Sequence, residues 1–391
     1  MRRSVPVSQD TITLFREQFG LAPTLVSRAP GRLEILGNHT DYNDGVALSC
    51  ASEQATTFAA GPASGNTCEL VSWHEGEVWR SDFDLDDLTN PTAGEWANYI
   101  KGIVYALGKR GHSCQPFRAA LSSTVPLSAG MSSSAALEIA AALAIGKLSG
   151  IHLPREEWAR IGQQSENDYV GANTGLLDQF SSLFGQVGNL VYIDFRTLAV
   201  EPHTLDADVA WVVTNSGVKH DLTTDYNDRR ESCEAAARAV ASIHTGVTAL
   251  RDVSQQMLDD CRADMSVTDY RRACHIVGEN ERVAAGLAAM KKSDPTAFGS
   301  LLTASHTSSR VNFENSCPEL DILVASGCAL PGCHGGRLSG GGFGGITIHL
   351  VDSAEAETFC ERLATAYKTR TGDEVSPIVC GIGAGAGVTT L

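Results

Sequence analysis

The amino-acid sequence predicts a mixed α+β chain in two domains, and three observations carry that expectation. At 391 residues the chain is long enough to build two cores of ordinary size. Strand-like alternation fills much of its first part, whereas long helical patterns fill its second half. Between them, the stretch from about Asp194 to Val209 reads as the seam. The apolar and charged fractions, 43% and 19%, are those of a globular protein.

The charge balance narrows the function. A formal net charge of −16 argues against a broad nucleic-acid surface, which needs basic stripes. It leaves room for an anionic small ligand, because a local nest of amides opposes the global field. No run approaches the roughly eighteen apolar residues that span a membrane. The start, Met1 to Asp10, has no apolar core of a secretory leader, and the eleven irregularly spaced cysteines read as reduced thiols. A cytoplasmic protein is therefore expected.

Residues from about Thr11 to Phe19 pattern as a short amphipathic helix. Ala29 to Gly45 then combines a strand with a long polar loop, between the apolar runs Leu33 to Leu36 and Val46 to Cys50. It holds Arg32, Glu34, Asn38, His39, Thr40, Asp41, Tyr42, Asn43 and Asp44. That density of donors and acceptors suits the hydroxyls of a sugar or of a nucleotide's ribose, or else a surface turn held by Asx side chains. Alternation resumes over Ala55 to Ala60 and Thr67 to Trp73, a polar stretch runs from Ser81 to Pro91, and a helix is expected from Trp96. Gly102 with Gly108-Lys109 imitates a Walker loop, but the spacing is one residue too long and Arg110 replaces the required Ser or Thr.

The run Ala119 to Val125 reads as a strand. It leads into Pro126-Leu127-Ser128-Ala129-Gly130-Met131-Ser132-Ser133-Ser134-Ala135-Ala136, a turn of small residues that opens an alanine-rich helix, Ala135 to Leu148. Small side chains permit close approach to the backbone, and the amides and dipole of a helix N-terminus favour an anion such as phosphate. The same residues equally suit a plain capped helix. Arg155 to Val170 follows as a helix bearing Glu166, and Asp178 stands twelve residues beyond it in Gly175-Leu176-Leu177-Asp178-Gln179-Phe180. Two such carboxylates supply a metal ligand and a general base if both reach the serine turn, and are solvated helix residues otherwise.

A strand at Trp211 to Thr214 leads to a charged helix from about Tyr226, and two more helices are expected near Tyr270 to Lys291 and Pro295 to Val311. Gly336 to Gly345 then precedes a strand, Ile346 to Val351. Gly340, Gly342 and Gly345 match a dinucleotide GxGxxG, but a strand follows where that fold needs a helix. What remains is a backbone loop able to line a cleft or approach a phosphate. Cys328, Cys333 and His334 lie close together but lack the second ligand pair of a zinc site.

In order along the chain, three segments resemble the GHMP small-molecule kinases and, within them, the galactokinase family. They are Gly31-Arg32 through Gly37-Asn38-His39-Thr40-Asp41-Tyr42-Asn43, the turn Pro126 to Ala136, and Gly336 to Gly345. Shorter matches lie between them: Trp96 to Tyr99, Gln163 to Glu166, Gly175 to Phe180, Asn215-Ser216 with Val218 and His220, Tyr226 with Arg229-Arg230, and Pro318 to Asp321. The resemblance implies an α+β, two-domain GHMP kinase fold. A ribosomal-protein-S5-like N-terminal domain over 1–200 would carry the sugar signature and phosphate loop, and a ferredoxin-like α+β C-terminal domain would span 201–391. The active site would lie in the cleft between them.

The same resemblance implies an ATP-dependent sugar 1-kinase, first of all a galactokinase making galactose 1-phosphate and ADP. The alternatives are a kinase for galacturonate, N-acetylgalactosamine or arabinose, or a non-catalytic galactose and ATP sensor. Asp178 and Arg32 would flank the anomeric hydroxyl, Asp178 as candidate base. Asn38, His39, Asp41, Gly175 and Tyr226 would bind the rest of the sugar. Trp96 would lie against adenine, Pro126, Gly130, Ser132, Ser133, Ser134 and Ala135 would form the ATP site, and Ser133 with Glu166 would hold Mg2+. The expected partners are the sugar and ATP, with no nucleic acid and no membrane, in a monomer. The chain departs from the family at Asn38, where the family carries a glutamate on the sugar's C6 side. An amide there lacks the charge that repels a C6 carboxylate, and it can equally bind a neutral C6 hydroxyl.

Overall fold

The computed structural model of the chain describes residues 7–74, 76–88, 91–126, 130–218 and 222–391. Leu127, Ser128 and Ala129 of the serine turn, and Lys219 and His220, lie outside the described residues.

Among the described residues the strands form two sheets. The larger is organised on the antiparallel pair Leu25–Leu36 and Val46–Pro62. Phe117–Ser123 pairs with the second of these and lies parallel to Thr67–His74. Alternate residues separate the two faces of this sheet. Phe58 and Ala60 join the core beneath the helix Ser133–Ser149, while Ala59 meets Leu14 and Phe15 of the helix Val7–Phe19. Ser133–Ser149 is mostly apolar on every side, with Glu138 its one buried ionisable side chain, and runs through the interior against Leu25–Leu36, Val46–Pro62 and the helix Asn98–Lys109. Part of the polar stretch expected at Ser81 to Pro91 is the edge strand Glu77–Asp84, whose mostly exposed side chains leave no apolar alternation to read.

The smaller sheet has the order Ile378–Cys380, Val209–Asn215, Ile346–Asp352, Cys333–Ser339. Its Val212 and Val351 pack on Phe359 and Leu363 of the helix Ala356–Thr371. On the other face, Trp211, Val213, Ile348 and Leu350 share one core with Leu33 and Ile35 of the larger sheet. The two sheets are thus joined by apolar packing across the seam. The strand Ala199–His203 lies inside the expected seam yet still pairs in the larger sheet, and the C-terminal strand Gly387–Thr390 returns to pair with Leu25–Leu36.

Two helices read as continuous in the sequence change pitch near the cleft. Arg155–Gln164 continues as a π-helical turn, Ser165–Val170, and Pro295–Ser308 as another, Ser309–Phe313. Such wide turns re-aim side chains without ending the helix, and they recur at functional sites. No helix of the described residues is long and apolar enough to cross a membrane.

Candidate active site

A cavity of about 360 Å³ opens where the two sheets approach, walled by residues from all three sequence signatures. Its floor is the strand Leu25–Leu36. The strand's register with its partner slips between Pro30 and Arg32. Gly31 there lies so close to the serine turn that a Cβ would sit 2.5 Å from the Met131 carbonyl, which accepts the Arg32 N–H at 3.0 Å. Beyond the slip, period-two alternation sends Arg32 and Glu34 into the cavity and Leu33 and Ile35 into the core.

Asp178 sits in the first turn of the helix Leu177–Phe184, where a carboxylate suits the helix dipole. Its Oδ1 accepts Arg32 Nε at 2.7 Å and its Oδ2 accepts the Ser132 hydroxyl at 2.6 Å. A second Arg32 donor, Nη1, reaches the Gly130 carbonyl. Burial by itself works against the guanidinium, but Asp178, Glu34 and Asp41 outweigh it and raise the Arg32 pKa above its usual value. A fixed cation beside an anchored carboxylate can orient a hydroxyl, take its proton and stabilise transferred negative charge.

Ser132 adopts a left-handed backbone (φ 60°) and, with its hydroxyl on Asp178, does not cap the helix Ser133–Ser149. The first-turn amides of that helix consequently have no side-chain cap and border the cavity beside Ser133 and Ser134. Glu166, on the π-helical turn, accepts from Thr174 at 2.7 Å and from Gln179 at 3.1 Å. Burial, then the Asp178 charge, raise its pKa, opposed by hydrogen bonds from Thr174, Ser134 and Gln179. Ser133, expected beside Glu166, and its neighbour Ser134 both line the cavity, and Ser134 is the one that bears on the Glu166 carboxylate. Gln179 also bridges to Glu138 at 3.3 Å, a fully buried carboxyl that burial pushes well above the usual range.

The polar loop after Leu36 is held by groups from the second half of the chain. Glu279, on the helix Val267–Lys291, accepts the Gly37 and Asn38 backbone N–H groups, each at 2.8 Å, and Arg282 Nε at 2.6 Å. Burial disfavours that charge, but Arg282 and the other positive neighbours hold Glu279 well below the usual carboxylate range. His39 is buried, and burial lowers its pKa to about 4. Because its Nε2 faces the Gly341 carbonyl at 3.1 Å, that nitrogen carries the proton, and Nδ1 accepts from the Tyr42 hydroxyl at 2.8 Å. Asp41 lies against Gly175, where a Cβ would fall 1.9 Å from Asp41 Oδ2. Burial, followed by the charges of Asp178 and Glu34, raises Asp41 to about 7. Tyr226 closes this side, its ring 4.9 Å from that of His39.

The cavity thus gathers Arg32, Asp178, His39, Asp41, Gly175, Tyr226, Gly130, Ser132, Ser133, Ser134 and Glu166. Four expected residues stand off its wall. Ala135 is buried behind the serine turn, Pro126 precedes the undescribed residues, and Trp96 packs at the margin of the larger core, where Tyr99 reaches the cavity instead. Asn38, expected on the sugar, is fully buried in a hydrogen-bond network and does not line the cavity. Glu34 lines it, and the sequence offered a signal for this: Glu34 shares a strand face with Arg32.

This combination of fold and site is that of a GHMP small-molecule kinase. Residues 98–186 match the family model for the GHMP kinases N terminal domain, residues 287–369 that for GHMP kinases C terminal, and residues 13–62 the galactokinase galactose-binding signature. Galactokinase of Roseiflexus sp. is 38% identical over 376 residues, covering 95% of each chain. The Homo sapiens galactokinase is 40% identical over 355 residues, covering 88% of this chain and 87% of its own. The crystal structure of Lactococcus lactis galactokinase complexed with galactose superimposes with a TM-score of 0.91 at 31% identity, covering 97% of this chain and 98% of that one. A Methanococcus jannaschii mevalonate kinase shares only the fold, with a TM-score of 0.62 at 17% identity. The chain belongs to the galactokinase family, as an ATP-dependent sugar kinase that transfers a phosphoryl group to an alcohol.

Proposed function

We propose that the chain phosphorylates the anomeric hydroxyl of galactose, with Asp178 and Arg32 as its catalytic residues. The observation that carries the proposal is the Asp178 carboxylate anchored at 2.7 and 2.6 Å between Arg32 and Ser132 on the cavity wall. As the hydroxyl oxygen bonds to the γ-phosphorus of ATP, the bond to the bridging oxygen of ADP breaks and the hydroxyl proton passes to Asp178. Arg32 holds Asp178 in place and stabilises charge on the moving phosphoryl group. Transfer of this kind asks mainly for positioning and electrostatic support. The uncapped amides at the start of Ser133–Ser149, with Gly130 and Ser132 to Ser134, receive the ATP phosphates.

Mg2+ fits the residues present. Glu166 is a buried carboxylate whose pKa burial raises, and it faces a serine hydroxyl, so a hard cation would relieve its uncompensated charge. In this reading Ser134 and Glu166 would hold the ion, which would supply charge neutralisation on the phosphates when bound. The boundary expected at 200/201 falls within the strand Ala199–His203, so the same proposal divides the chain at about residues 204–208, between the sheets, with the C-terminal strand returning to the first domain. The eleven unpaired cysteines support a reducing, cytoplasmic setting.

The deciding experiment gives the purified protein ATP, Mg2+ and galactose, galacturonate, N-acetylgalactosamine or arabinose. Galactose is expected to turn over fastest, and no turnover with any sugar would remove the kinase proposal. Two further outcomes are expected at the sugar side. Gly175→Ala places a methyl on Asp41 and should raise the sugar KM by about tenfold or more, with the KM for ATP little changed. Asp41, raised to about 7 in the free protein, gains hydroxyl donors when sugar binds, which favours its ionised form. Binding should therefore release a proton, and sugar affinity should rise from pH 6 to pH 8 by up to about tenfold per unit of pKa displaced. Calorimetry in buffers of different ionisation enthalpy measures that proton, and affinity falling with pH would contradict the assignment. In the free protein the same raised pKa has the opposite sign for stability. Its contribution is full below the unfolded-state value near 3.8 and fades as pH rises towards about 7.

A further inference from the structure

We infer that Glu34 is the specificity-determining residue that reads the sugar on the side remote from phosphoryl transfer, with Asn38 and Arg337 as its positioning residues. This rests on the galactose 1-kinase function proposed above.

The amide of Asn38 is spent within the protein. Its Nδ2 donates to Glu34 Oε1 at 2.8 Å and to the Gly340 carbonyl at 3.0 Å. Its Oδ1 accepts from Asn315 Nδ2 at 3.0 Å and from the Ser309 hydroxyl at 3.3 Å. With both donor hydrogens and both lone pairs engaged, and no place on the cavity wall, Asn38 has nothing left with which to bind a sugar.

Glu34 is in the opposite position. Its Oε1 takes both inward donors, Asn38 Nδ2 at 2.8 Å and Arg337 Nη2 at 3.1 Å. No described residue donates to its Oε2, and the side chain lines the cavity. Arg337 is itself fully buried and tied to the Ile35 carbonyl at 2.9 Å, so the carboxylate is clamped from behind. A Glu34 N–H to Ser339 Oγ bond at 2.9 Å fixes the backbone at the same point. Burial raises the Glu34 pKa against the pull of Arg337 and Arg32, as expected of a carboxylate with one oxygen short of a donor.

The geometry also selects which end of the sugar Glu34 meets. Arg32 and Glu34 project from one strand face two residues apart, roughly 7 Å along the strand. That separation is comparable to the width of a pyranose. With C1 held at Arg32 and Asp178, the far side of the ring, C4 with the C6 hydroxymethyl beside it on C5, falls to Glu34. The bond from Asn38, the position that the family resemblance sets on the C6 side, turns Glu34 towards C6. The negative charge absent at Asn38 is therefore present four residues earlier in the same hydrogen-bonded pair. Asn38 alone left the C6 hydroxyl and the C6 carboxylate both open; with Glu34 beside it, a C6 hydroxyl donates to Glu34 and a C6 carboxylate is repelled.

The test compares kcat/KM for galactose, 6-deoxygalactose and galacturonate. The wild-type protein should prefer galactose to 6-deoxygalactose by on the order of tenfold to a hundredfold, since the deoxy sugar leaves Glu34 unpaired. Galacturonate should not turn over measurably. In Glu34→Gln the preference over 6-deoxygalactose should fall to within about threefold and galacturonate turnover should emerge, seen mainly in KM. Glu34→Asp keeps a charge beside Arg337 and withdraws the oxygen by one methylene. It should lose most of the same preference even if Glu34→Gln fails to fold. Asn38→Ala should lower the galactose to 6-deoxygalactose ratio by less, through KM, where a merely structural role would lower both sugars equally. A wild-type protein that does not distinguish the two sugars, or a folded Glu34→Asp that keeps the full ratio, overturns the role of Glu34. Absence of turnover with galactose would instead overturn the proposed function.

Discussion

Asp178→Asn is expected to lower kcat by about a thousandfold or more while the protein still folds and binds ATP. The amide keeps the size of the side chain but cannot accept the hydroxyl proton as a carboxylate does. It also turns one charge-assisted contact with Arg32 into a weaker neutral one. A general base contributes on the order of 10² to 10⁴ in rate, and the lost alignment of Arg32 adds to that. The fold should survive because Arg32 retains Glu34 and Asp41 as neighbouring charges, and Asp178 is partly open to solvent rather than a core group. Single-turnover kinetics at saturating galactose and ATP, a nucleotide titration and a melting curve separate these effects. A kcat within a few-fold of wild type would remove Asp178 from the chemistry.

Much of the site was legible because its parts are local. The strand before the serine turn, the alanine-rich helix after it and the order of the three signatures all follow from short-range pattern. The roles of Asp178 and Arg32 came with the family resemblance, and the structure brings the two within hydrogen-bond distance. What the sequence concealed depends on how segments distant in the chain meet. Glu34 and Asn38 both stand in the polar segment, but the exhaustion of the Asn38 amide involves Asn315, Ser309 and Gly340 from the far half of the chain. Ser133 and Ser134 are neighbours in a run of equals, and only the π-helical turn bearing Glu166 distinguishes them. The strand Glu77–Asp84 was hidden for a different reason: at a sheet edge its solvent face removes the alternation that marks a strand.

Glu166→Gln is expected to reduce kcat by about a hundredfold at millimolar Mg2+ and to raise the Mg2+ concentration for half-maximal rate by at least about tenfold. The amide preserves the acceptor for Thr174 and Gln179 but removes the charge that attracts the cation, so the loss should appear in metal affinity before it appears in folding. The serine variants divide the question further. Ser134→Ala deletes the hydroxyl that faces Glu166 and should shift the Mg2+ requirement by about tenfold. Ser133→Ala, one residue earlier, should leave that requirement nearly unchanged and raise the KM for ATP instead. Proton and metal compete for Glu166, whose pKa burial has raised, so the Mg2+ requirement should ease as pH rises. Thermal stabilisation by MgATP over ATP alone reads the same binding without turnover, and should vanish in Glu166→Gln. A normal Mg2+ requirement in both Glu166→Gln and Ser134→Ala would show that the cation is held elsewhere, and the same shift in both serine variants would return Ser133 to the metal site.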